Sequence, residues 1–90
     1  MAVGAELPTL QELHRTFNAK AEDADGIKND VDSALGNSVW TGAYSQQFRD
    51  AWDEYKQNLV TLRDALESAA EDVRINHNNI AEATGESDRI

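Results

Sequence analysis

Cysteine is absent from the chain and proline occurs once. No disulfide framework and no thiolate metal site can therefore form. The single proline, Pro8, stands near the start, so nothing later interrupts helical periodicity by removing a backbone donor. Cations are scarce. Eight Lys and Arg against 17 Asp and Glu give a net charge of −9, which argues against a nucleic-acid backbone or an anionic membrane surface as partner. The deficit is even, −4 over residues 1–37 (3 against 7) and −5 over residues 38–90 (5 against 10), as on a solvated acidic surface. Apolar runs are short, and none approaches the roughly 18 residues of a membrane span. Residues 1–6 have neither the basic region nor the apolar stretch of a Sec signal peptide and read as an unstructured start. Ninety residues make one domain at most, and a core this small rarely supplies more than about 3–5 kcal/mol. With disulfides excluded, association with another chain is the expected source of stability.

What is present is helical spacing. Leu7-Pro8-Thr9-Leu10-Gln11-Glu12 reads as a helix start, with Thr9 and Glu12 at the separation of a capping box. The first helix is expected over about 9–36. Its apolar stripe runs through Leu10, Leu13, Phe17, Ala21, Ala24, Ile27, Val31 and Leu35. Gly26 weakens its middle and reads as a packing contact or a local bend. The second helix is expected over about 43–83, with Thr41 as a plausible cap. Its stripe is Tyr44, Phe48, Trp52, Tyr55, Leu59, Leu62, Leu66, Ala69, Val73, Asn76 and Ile80. From Phe48 the alternating steps of four and three are those of a coiled coil, and the polar Asn76 is of the kind that fixes register. Between the helices, residues 37–42 form a loop holding Trp40, with Gly36 and Gly42 beside it.

The expected fold is therefore all-α: a single antiparallel two-helix hairpin with a flexible segment over 84–90. The second helix is the longer. Its last turns, with Val73, Ile75 and Ile80, are expected to outrun the first helix and to want another chain. Two such hairpins would make a four-helix bundle. Residues expected to pack the hairpin and the dimer are Leu13, Phe17, Val31, Phe48, Trp52, Tyr55, Leu59, Leu62, Leu66 and Val73.

No catalytic, cofactor or metal constellation appears. The chain holds no Gly-rich phosphate loop, no HExxH and no Cys nucleophile. Glu22, Asp23 and Asp25 lack the spacing of a calcium loop. His14 and His77 lie far apart, on different expected helices. Trp40 carries two readings at once. It can cap the end of the bundle, and its indole can edge a groove that receives another chain.

Trp40-Thr41-Gly42 between two helices, with Phe48 six residues beyond Gly42, resembles the Trp-X-Gly hallmark of the WXG family. These are early-secreted-antigen-like substrates of the type VII (ESX) secretion system. The resemblance covers essentially the whole chain. It implies a hairpin that pairs into a four-helix bundle, Sec-independent export from Gram-positive bacteria through an ATPase-driven complex, and a secreted partner or virulence factor rather than an enzyme. Members usually carry a Tyr-x-x-x-Asp/Glu signal after the second helix, thought to lie near the Trp-X-Gly loop of the partner. Here the tyrosines are Tyr44 and Tyr55, followed four residues on by Phe48 and Leu59. The resemblance therefore implies the signal-less half of a dimer, preferably a heterodimer, with Trp40 and Gly42 as its share of a two-chain signal. An intracellular homodimeric helical adaptor is the alternative that the residues leave open.

Overall fold

The computed structural model describes residues 6–90. The expected unstructured start, apart from Glu6, lies outside the described residues. Two helices, α1 (Leu7–Asn37) and α2 (Ala43–Ala83), fold back on each other as the expected all-α hairpin. The rod measures 64 × 18 × 14 Å, the length of α2 at about 1.5 Å per residue. No helix of the described residues is long and apolar enough to cross a membrane.

Helix α1 begins two residues earlier than expected, and the capping box does not form. The fixed backbone angle of Pro8 suits a first helical turn, where no amide donor is required. The helix therefore starts before Pro8, with Glu6 as its extended cap residue. The Glu6 carbonyl accepts from the Thr9 and Leu10 amides at 3.2 and 3.3 Å, and from the Thr9 hydroxyl at 2.7 Å. Glu12 is left to pair with Arg15 at 2.7 Å. The helix also continues through Gly36 to Asn37. Ser38 then turns extended, and its hydroxyl donates to the Ala34 carbonyl at 2.6 Å. Gly26 is no packing contact, because a β-carbon there would meet open space.

Three cross-helix contacts give the register. Gln11 meets His77, Asp25 meets Arg63 and Asp32 meets Lys56, so positions that add to 88 face each other. On this register Leu7 lies level with Ala81, and Asn37 only with Ala51. The overhang is thus at the opposite end from the one expected. The last turns of α2 are covered by α1, with Val73 and Ile80 half-buried, although Ile75 is exposed. The first two turns of α2, Ala43 to Asp50, extend past α1 instead. His14 and His77, read as far apart, lie at the same end, since Gln11 is one turn from His14.

The fully buried positions are small or polar. Ala21 and Ala24 of α1 and Ala70, His77 and Ala81 of α2 lie in the seam, and Ser45 is buried on the overhang. Small side chains let the backbones approach. Along this seam Arg63 holds Asp25 at 3.0 Å, and Lys56 lies between Asp32 and Asp53 at 3.5 and 3.3 Å. The Trp52 indole donates to Asp32 at 2.7 Å. That hydrogen bond, joined by Lys56, holds the Asp32 carboxyl below the ordinary carboxylate range. Asp53 and then Asp32 push the Lys56 ammonium up. Pairs as exposed as these contribute little, because water screens them. Asn76 is exposed, so these polar contacts mark the register and Asn76 does not.

Residues 84–90 do not run free. Gly85 takes a left-handed angle, φ 79°. The Glu86 amide donates to the Ala81 carbonyl at 2.8 Å and the Gly85 amide to Glu82 at 3.3 Å, the two bonds of a Schellman stop. The turn sends the chain back along α2, where Ile90 reaches Asn78.

Candidate functional site

The large apolar residues fall on two levels relative to the seam. Phe17, Val31, Trp52, Leu59, Leu66 and Val73 are half-buried. Leu13, Ile27, Phe48, Tyr55 and Leu62 remain exposed. On α2, Phe48, Tyr55 and Leu62 recur every seven residues, so they form one row along the rod. The stripe read as a single seam is therefore split, one edge towards α1 and the other towards solvent. Val31, Phe48, Ala51, Trp52 and Tyr55 enclose an open groove of about 370 Å³ at the loop-proximal part of this face. Side chains with no partner in a single hairpin are what a second helical pair would cover.

The loop stands at the end of the same face. Residues 38–42 must climb beside the overhanging turns of α2, and Ser38 starts the climb extended. Gly42 closes the climb with φ 101° and ψ −179°, a region open in practice only to glycine. A β-carbon at Gly42 would meet nothing, so the backbone angle, and not space, selects the residue. Gly42, rather than Thr41, precedes the helix, and its carbonyl accepts from the Gln46 amide at 3.1 Å.

Two residues that the sequence pattern did not single out hold the loop. Ser45 is buried and donates its hydroxyl to the Trp40 carbonyl at 2.7 Å. Arg49 donates to the Ser45 hydroxyl at 3.1 Å and to the Leu35 carbonyl at 3.3 Å, tying the end of α1 to the first turns of α2. Their one sequence signal is spacing: Ser45 and Arg49 are four apart on the turn that follows Gly42. The backbone of Trp40 is thus fixed, while its indole stays 42% exposed. The ring leans on Phe48 with centroids 5.8 Å apart at 43°, a contact worth about 1 kcal/mol. Trp40 does not plug the hairpin. With Val39 fully exposed and Tyr44 82% exposed, it makes an apolar tip on the overhang, continuous with the row that starts at Phe48.

A chemical reading of this site is recognition by burial. The tip offers aromatic surface on a fixed backbone, and the row below it offers an apolar edge of about 21 Å, a third of the rod. Fixed aromatic side chains lose little freedom on binding, which is why they dominate interfaces.

Comparison with known families gives one finding. The model of WXG100, proteins of 100 residues with WXG, matches residues 5–84. No curated protein and no solved structure matches the chain.

Proposed function

The chain belongs to the WXG100 family, the WXG family of type VII secretion substrates, and from that membership we propose that it is exported as the signal-less subunit of a two-chain four-helix bundle. The partner is a second WXG-type chain, preferably a different one. It supplies the Tyr-x-x-x-Asp/Glu that these ninety residues lack. This chain supplies Trp40 and Gly42, and the secretion ATPase meets the two as one surface.

The observation that supports this reading best is the exposed row Phe48, Tyr55 and Leu62 running down from an aromatic tip. A hairpin that half-buries one edge of its apolar stripe and leaves Leu13, Ile27, Phe48, Tyr55 and Leu62 exposed keeps the other edge for another chain. Burying several of them recovers about 1.5–3 kcal/mol each, more than the seam's partly exposed ion pairs contribute.

Co-expression with the product of a neighbouring small Trp-X-Gly gene should give a stable 1:1 complex by size exclusion. Within that complex, Trp40→Ala and Gly42→Arg should abolish appearance in the culture filtrate and leave the complex intact. A chain that forms a tight homodimer and ignores its neighbour would sink the heterodimer. Export that survives both substitutions would sink the role of the loop.

A further inference from the structure

At the end remote from Trp40, one polar network joins three segments. His77 is fully buried, 0% exposed. Its Nε2 lies 3.0 Å from Gln11 Nε2 on α1, and its Nδ1 lies 3.0 Å from Asn78 Oδ1. An amide nitrogen can only donate. Nε2 therefore accepts from Gln11, and Nδ1 carries the proton that Asn78 Oδ1 accepts. Asn78 Oδ1 also accepts from the Ile90 amide at 3.0 Å, while Asn78 Nδ2 donates to the Ile90 carbonyl at 3.2 Å. One side-chain amide thus holds both backbone groups of a single residue, as a neighbouring strand would.

The returning segment also closes over the start of α1. Glu6, Leu7, Pro8, Glu86 and Asp88 line one cleft between them. Three of these five are carboxylates. Arg89, the cation of this segment, spends its guanidinium on the Glu86 and Asp88 carbonyls. Like charges therefore oppose the closed arrangement, and hydrogen bonds at Asn78 hold it against them. A contact so balanced is poised to open.

We propose that residues 84–90 are a strap, clamped by Asn78, that seals the polar seam at His77. Lifting the strap opens this end of the hairpin to solvent. Sealing and opening are one event, because Asn78 Oδ1 is shared between His77 and Ile90.

The test uses the full chain with two variants that release the strap by different means. Asn78→Ala removes the clamp. Gly85→Val leaves Asn78 in place and strains the turn, where φ is 79°. Two protections are read: exchange of the Ile90 amide by NMR, and carbethoxylation of His77 with His14 as the internal control. In the unaltered chain, Ile90 exchange should be slowed at least about tenfold against an unprotected amide, and His77 should be unreactive. Added salt should slow exchange further by screening the three carboxylates. In both variants Ile90 should exchange freely and His77 should become reactive, with helical circular dichroism retained. If Asn78→Ala also loses helix, the result with Gly85→Val decides. An unprotected Ile90 amide in the unaltered chain overturns the strap. Release of Ile90 without a gain in His77 reactivity overturns the coupling.

Discussion

The two ends of this hairpin solve the same problem, closing a two-helix rod, in opposite ways. At the far end a buried imidazole, two amides and a returning segment consume their own polar groups, although Leu13 and Ile75 stay exposed beside them. At the loop end the hydrogen bonds of Ser45 and Arg49 fix the backbone, while Val39, Trp40, Tyr44 and Phe48 are left outside. One end closes its polar groups within the chain. The other leaves an aromatic tip exposed. Hydrogen-bonded closure and exposed aromatic surface thus stand at opposite ends of a single rod, and the contrast can be attacked residue by residue.

The largest effect on folding is expected at the far end. His77→Ala leaves a void at a fully buried position and takes the partner from the Gln11 amide, so denaturant unfolding should show a loss of about 3 kcal/mol. Trp40→Ala at the other end should cost no more than about 1 kcal/mol, since it removes one ring contact from a half-open side chain. Equal losses would erase the contrast. Next is Phe48→Ala, which removes the same ring contact and should cost the isolated chain no more than about 1 kcal/mol. Partner affinity, read by calorimetry, should fall by about 2 kcal/mol, or roughly 30-fold. Gly42→Ala should destabilise by on the order of 1 kcal/mol through backbone strain alone, and the loss should be the same with or without partner. Gly26→Ala lies in neither end. Its β-carbon meets open space, so it should raise the melting temperature, by up to about 1 kcal/mol of stability, without altering either end.

The smallest effect is acid sensitivity. The Asp32 carboxyl is held low, first by the Trp52 indole and then by Lys56. A carboxyl whose folded pKa is depressed contributes fully above its ordinary value, about 3.9. That contribution is lost as pH falls through the lower folded value. Stability should therefore be flat above about pH 4 and decline below it. In a Trp40→Phe background, Trp52 fluorescence should follow the decline, and Asp32→Asn should flatten it.

The two helices, the hairpin and the place of the loop were legible in the sequence, because apolar spacing and a Trp-X-Gly break report on them directly. The face that forms the seam was legible only in part. Arg49, Lys56 and Arg63 lie along it with half-buried stems and charged heads paired, and a pattern that counts only apolar positions passes over them. On α1 the stripe took in Ala21 and Ala24, both buried, but on α2 it ran through larger residues and missed the buried Ser45, Ala70, His77 and Ala81. The register was hidden for the same reason, since Asp25–Arg63 and Asp32–Lys56 pair across long sequence separation. The overhang at the loop followed from that register and had no local signal. At the start, Thr9 and Glu12 matched a cap in spacing, but Pro8 moved the helix start ahead of them. At the far end, Gly85 was legible as a breaker. That Asn78 would catch the chain twelve residues later was not.

The offset between the helices turns the Trp-X-Gly segment into a gauge. By register, its five residues must carry the chain from the level of Ala51 to Ala43, eight helical steps or about 12 Å. Five extended residues reach only about 17 Å. Such a bridge has little slack. Removing one residue from it would drag α2 along α1 and mismatch Asp25–Arg63, Asp32–Lys56 and Gln11–His77 together, whereas an added residue could bulge outward and disturb none of them. Tolerance to length change in this protein is therefore one-sided: its shortest connection can grow but cannot shrink.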